Sequence, residues 1–220
     1  MKRVASGTIK FIDFDPPWGI DFDKLRHYVD NPDVTRSYTE IQKEAYPRLL
    51  KEWFTELYRC MSQDSWITIW FGWAWFQRIL DTLTETGFKY NIVPAIWHKP
   101  GTGHVGDPGT QLAVSYEQFI YARKGNPTIL TPGLSNVLQY NRPHNTERNH
   151  PNEKPVPLME HILRTFVPPS STVFSPFLGS GNTILAAHNL GMAAFGYDLS
   201  SDFKNAFSVK VMNGEVGEYV

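Results

Sequence analysis

Ile9-Lys10-Phe11-Ile12-Asp13-Phe14-Asp15-Pro16-Pro17-Trp18 is an apolar run that ends in a carboxylate, two prolines and a tryptophan. The run, taken from Thr8 to Phe14, predicts a short buried strand. The four residues after it therefore stand at a strand's carboxyl end, the edge where open α/β sheets bind ligands. Prolines fix φ and donate no N–H, so the carbonyl of Pro16 stays rigid and outside the ladder. Asp15 and that carbonyl form a pair of acceptors, with Trp18 as a flat surface beside them. A planar ring carrying an exocyclic NH₂ fits the arrangement. The alternative is a proline turn closing a strand, with Asp15 as an ordinary cap.

Working outward, strand-like and helical stretches alternate. A helix is expected from about Thr39 to Met61, with Ile41, Ala45, Leu49, Leu50, Trp53, Phe54 and Leu57 at helical spacing. Ser65–Trp70 reads as a strand, and Ala74–Thr86 as an amphipathic helix closed by Gly87. Ile92–Trp97 and Glu117–Ala122 are further strands, separated by a glycine-rich stretch after His98. A turn-rich region runs to about Asn152. Next come a helix over Val156–Phe166, a strand at Thr172–Phe174, a helix at Asn182–Leu190, a strand at Ala193–Tyr197 and a last helix from near Ser201. This alternation predicts an α/β fold, one domain with a mostly parallel sheet and helices on both faces.

A second motif, Phe174-Ser175-Pro176-Phe177-Leu178-Gly179-Ser180-Gly181-Asn182-Thr183, leads from strand to helix. Glycines let such a turn bend tightly and let a ligand approach backbone N–H groups at the helix start. Asp198 closes the following strand, where an acidic residue takes ribose hydroxyls in nucleoside-binding folds. A packing turn with a capping Asp198 is the plain alternative. No Walker-type lysine follows the glycines. The expected ligand thus has an adenosine end and little phosphate, which points to S-adenosylmethionine. If the strands before the two motifs are parallel neighbours, donor and acceptor meet in one crevice.

Composition sets the bounds. A 220-residue chain suffices for one α/β domain, with roughly 70% of its surface buried on folding. Net charge is −1 and the isoelectric point about 6.7, so no overall basic field advertises a polyanion. Such a surface is compatible with a homodimer or a partner subunit. The single cysteine, Cys60, excludes an intramolecular disulfide and a cysteine-based zinc site. His98, His104, His144 and His150 fit no zinc spacing, so no metal is expected. Lys2 and Arg3 precede no apolar stretch, and the longest apolar run, Trp66–Phe76, is too short for a membrane span. Cytoplasm is the expected compartment.

With these residues in view, the chain resembles the β-group of DNA amino-methyltransferases, in which an Asp-Pro-Pro-aromatic motif precedes a Phe-x-Gly-x-Gly motif. His150-Pro151-Asn152-Glu153-Lys154-Pro155 resembles that family's His-Pro-x-x-Lys-Pro element, and the likeness runs from about Phe11 to Ser200. It implies a seven-stranded Rossmann-like sheet, which could be truncated at one edge here, and methyl transfer from S-adenosylmethionine to an exocyclic amine in DNA. Asp15 in the first motif position implies adenine N6 rather than cytosine N4. Asp15, Pro16, Pro17 and Trp18 would be catalytic. Asp15, Lys154, Pro155, Ser175, Phe177, Gly179, Ser180, Gly181, Asn182, Thr183 and Asp198 would hold the donor. Trp18, His98, Lys99, Arg142 and His150 would meet a flipped-out base.

The chain also departs from the pattern. Ser175 stands where the family usually has an acid, and only Val216–Val220 could form a strand after the last helix. Target recognition falls to short segments at 19–38, 99–107 and 140–148. Arg26, Arg36, Lys99, Arg123, Lys124, Arg142 and Arg148 are candidate phosphate contacts, each also readable as an ordinary surface charge. The compact form suggests a phage or prophage origin. RNA is the rival substrate, because eukaryotic RNA-adenine methyltransferases also carry Asp-Pro-Pro-Trp. A degenerate nucleic-acid-binding subunit is the rival of another class.

Overall fold

The computed structural model describes residues 1–19, 41–101, 109–143 and 153–212. One sheet organises it. Its strands are β1 (Ile9–Phe14), β2 (Met61–Trp70), β3 (Lys89–Tyr90), β4 (Ala95–His98), β5 (Tyr116–Lys124), β6 (Val137–Gln139), β7 (Thr172–Ser175) and β8 (Ala193–Gly196). Seven lie in the order β6-β4-β5-β2-β1-β7-β8, and the two-residue β3 pairs with β5 off this path. Among the described residues the sheet thus has eight strands, where seven are expected. β1 is parallel to β2 and β7, β7 to β8, and β4 to β6, whereas β5 runs antiparallel to β2, β3 and β4.

The helices are α1 (Tyr46–Cys60), α2 (Phe76–Thr86, after a 3-10 turn at Trp73–Trp75), α3 (Val156–Phe166), α4 (Asn182–Asn189) and α5 (Ser201–Met212). α1 starts at Tyr46 rather than near Thr39, with a proline in its first turn, where a missing N–H costs nothing. α2 ends at Gly87 in the left-handed conformation, as expected. β2 begins four residues before Ser65, because a register shift against β1 admits the polar Ser62-Gln63-Asp64 stretch. Asp64 there takes a φ of 55°, and Lys10 Nζ donates to the carbonyls of Gln63 and Asp64.

Period-two alternation splits the core between the sheet's faces. Ile12 and Phe14 pack with Leu50, Phe54 and Leu57 of α1 and Ile79 and Leu83 of α2. Phe11 packs on the other face with Leu158, Ile162 and Leu163 of α3 and Leu185 of α4. Because β1 and β7 are parallel neighbours, with Phe11 opposite Val173 and Ile12 opposite Phe174, their carboxyl ends emerge side by side. Among the described residues, no helix is long and apolar enough to cross a membrane.

Candidate active site

Directly beyond the ends of β1, β7 and β8 lies a cavity of about 620 Å³. One wall is Asp15, Pro16, Pro17 and Trp18; the facing wall is the turn from Ser175 to Ser180, with Asn182 and Thr183 behind it. Lys154 and Asp198 line it too. Its apolar side includes Trp53 and Phe177, whose rings meet edge to face with centroids 5.2 Å apart. The half-buried Trp18 lies against Gly72, where an added Cβ would stand 3.4 Å from its ring.

The glycine turn is fixed from both sides. Asp198 accepts hydrogen bonds from the backbone N–H of Gly179 at 2.9 Å and of Ser200 at 2.8 Å. Gly181 caps α4 with a φ of 78°, and a Cβ there would come within 2.1 Å of the Phe207 ring. Any side chain at that position would be both strained and crowded. Asn182 donates to Glu153 and to the carbonyl of Lys154, both at 2.8 Å, and so ties the start of α4 to the segment before α3.

Two buried acids stand here, Asp13 in the cavity lining and Glu117 outside it. Asp13 of β1 accepts from Thr68 Oγ1 and Trp70 Nε1, each at 2.9 Å, and from Thr183 Oγ1 at 2.6 Å. Glu117 of β5 pairs with Lys99. Lys154 Nζ bonds Asp15 Oδ2, stands 3.9 Å from Glu117 Oε2 and lies 4.3 Å from the centroid of the Trp70 ring. Asp15, Lys154, Glu117 and Lys99 therefore form a row of alternating charge. Burial pushes the Asp15 carboxyl above its ordinary range, and Lys154 only partly offsets this. Burial also works against the Lys154 ammonium, yet the carboxylates of Asp15, Glu117 and Asp13 outweigh it and hold Lys154 above its usual value. For Glu117, Lys154 and Lys99 overcome burial and keep the carboxyl low. Lys99 is pulled down, because its burial exceeds what Glu117 returns.

A model of the DNA methylase family (N6_N4_Mtase) matches residues 133–209, the span that holds Lys154-Pro155, the glycine turn and Asp198. "Putative methylase YubD" of Escherichia coli (strain K12) is 25% identical over 206 residues, covering 94% of this chain and 83% of that protein. Among solved structures, the M1.HpyAVI–SAM complex superposes with a TM-score of 0.70 at 21% identity, covering 93% of this chain and 89% of that one. The cytosine-N4-specific PvuII DNA methyltransferase gives 0.73 at 15% identity, covering 94% and 80%. The chain has the methyltransferase fold.

Within this methyltransferase fold the sequence-selected residues separate by position. Asp15 to Trp18, Lys154, Ser175, Phe177, Gly179, Ser180, Asn182, Thr183 and Asp198 share the cavity. Pro155 and Gly181 sit beside it, as the caps of α3 and α4. His98 and Lys99 lie at and just beyond the end of β4, outside the cavity lining, as does the exposed Arg142. Lys99 is 3% exposed and engaged with Glu117, so its ammonium is not presented to a phosphate. Arg123 and Lys124 are also displaced from the expected role. β5 is reversed, which carries them to the opposite edge of the sheet, where Lys124 donates to the carbonyls of Tyr58 and Met61. Arg26, Arg36, His104, His144, Arg148, His150, most of the segments 19–38, 99–107 and 140–148, and Val216–Val220 lie outside the described residues.

Sequence reading did not single out Asp13 or Glu117. Asp13 was a charge inside an apolar, strand-like run, and Glu117 was the first residue of another. Such a side chain is seldom fully buried without partners, so its position was itself a signal.

Proposed function

We propose that this chain is a DNA methyltransferase that moves a methyl group from S-adenosylmethionine to an exocyclic base nitrogen, with adenine N6 as its target. The observation that carries the reading is the parallel pairing of β1 with β7. It makes Asp15-Pro16-Pro17-Trp18 and the Ser175–Thr183 turn facing walls of one cavity. The family match over 133–209 and the methyltransferase fold support it. We take the whole sheet with its helices as one catalytic domain.

The residues present fit the donor. The cavity's volume suits a small molecule of that size. Asp198 spends one lone pair of each oxygen on backbone N–H groups and retains others for ribose hydroxyls. When bound, S-adenosylmethionine supplies an electrophilic methyl on a sulfonium with a good leaving group. The chain's own work is orientation and charge. An aromatic amine is a poor nucleophile because its lone pair is delocalised into the ring. Asp15 and the Pro16 carbonyl would accept its two N–H bonds as the nitrogen becomes tetrahedral, an interaction strongest in the transition state, and one of those two protons would then leave the methylated nitrogen for solvent. Trp18 would stack the base, fixing the approach geometry. A base must leave the duplex to reach this cavity.

Digestion and mass spectrometry of DNA from cells expressing the chain test the proposal. N6-methyladenine is the expected product. N4-methylcytosine would instead place its specificity with that of PvuII methyltransferase, and absence of both would overturn the reading. Trp18 favours RNA as a second substrate class, so parallel assays on RNA and DNA oligonucleotides belong to the same experiment. Calorimetry with S-adenosylmethionine separates an enzyme from a subunit that binds no donor.

A further inference from the structure

Lys154 is shared unequally by two carboxylates. Its Nζ is bonded to Asp15 Oδ2, while Glu117 Oε2 lies 3.9 Å away. Glu117 Oε1 is taken by Lys99. Oε2 is buried and accepts no hydrogen bond among the described residues. Such an orphaned oxygen in a native interior calls for an explanation. The gap to Lys154 exceeds hydrogen-bond range by only about 1 Å, and rotation about the lysine's terminal bonds would close it. The Trp70 ring lies beside Nζ, a face against which an ammonium remains stabilised.

The proposed reaction, on which this inference rests, gives that short motion a use. Asp15 is asked to accept an N–H from the incoming amine, yet one of its oxygens already holds Lys154. We infer that Glu117 is a positioning residue: its free oxygen receives the Lys154 ammonium when the substrate amine engages Asp15. Lys154 stays beside a carboxylate throughout the shift, while Asp15 exchanges the ammonium for the amine's N–H. Glu117 touches neither substrate nor donor in this scheme; it acts through Lys154.

Two measurements test it. In the full chain carrying Glu117→Gln, single-turnover methyl transfer to a DNA oligonucleotide should fall about ten- to a hundredfold, the worth of one hydrogen bond between charged groups. Dissociation constants for S-adenosylmethionine and for the oligonucleotide should stay within about twofold. A folded variant with a normal transfer rate, or with its loss confined to donor affinity, would overturn the inference. If Glu117→Gln does not fold, Lys99→Met/Glu117→Gln replaces it, with both outcomes unchanged. The second measurement needs no activity. A crystal structure of Asp15→Asn should show Lys154 Nζ within hydrogen-bond distance of Glu117 Oε2, and a lysine still directed at residue 15 would sink the idea. Wild-type enzyme on the same oligonucleotide keeps the two questions apart: a failure to transfer bears on the methyl-transfer reading alone, and the Asp15→Asn structure still decides the inference.

Discussion

Asp15 is the residue at which burial and chemistry pull in opposite directions. To accept the amine's N–H groups it must be ionised, while burial favours its neutral form. Its folded pKa is raised, so on acidification it takes up a proton at higher pH than a free Asp of pKa about 3.9. The acid limb of the transfer rate should therefore lie above the ordinary carboxylate range, measurable as single-turnover rate against pH with donor saturating. Asp15→Ala should lower transfer by roughly a hundred- to a thousandfold, comparable to removing one transition-state hydrogen-bonding group. Fold and donor affinity should be retained. Asp198 belongs to the other wall. Asp198→Ala should weaken S-adenosylmethionine binding by about tenfold or more, as loss of a charged acceptor does, and change the maximal rate less; calorimetry and saturation kinetics check this. Both residues were legible in the sequence because each follows an apolar run at a strand's end. Asp13 and Glu117 were not, because they lie inside strands and their partners, Thr183 and Lys99, are distant in sequence.

At the scale of elements, the turn into α4 is the tightest constraint. Gly181 combines a φ of 78° with a ring where a Cβ would go. Gly181→Ala should destabilise the fold by about 2–4 kcal/mol, the sum of left-handed strain and overpacking, read as a shift in urea midpoint. Long periodic elements could be read closely: α3 has its expected bounds, and α4 ends one residue early. β3 and β6, of two and three residues, are too short to show any period. The direction of β5 was equally hidden, since a strand buried on both faces looks the same either way round. Yet that reversal decides which of its ends meets the cavity. It brings Glu117 to the ligand edge and sends Arg123 and Lys124 away.

For the whole molecule, the charge row joins β1, β4, β5 and the segment before α3 across the ligand edge of the sheet. Its effect on stability should depend on pH in a definite sense. Glu117 is held below its ordinary value, so its contribution is complete above the unfolded pKa of about 4.3 and is lost as pH falls through the folded one. Protonating it leaves Lys99 and Lys154 as buried cations beside a neutral carboxyl. Lys99→Met/Glu117→Gln removes one cation and one anion together. Neutral replacement of a buried ion pair often costs little, so this variant should lie within about 2 kcal/mol of wild type at pH 7. Below pH 5 the wild type should lose stability faster, and the difference should grow in the variant's favour toward pH 3. Asp15 titrates with the opposite sign, because its folded pKa is raised, but it is present in both proteins and largely cancels in the comparison. Urea midpoints of the two proteins from pH 7 to pH 3 decide the matter. A difference that stays constant across that range would show that the row contributes no pH-dependent stability.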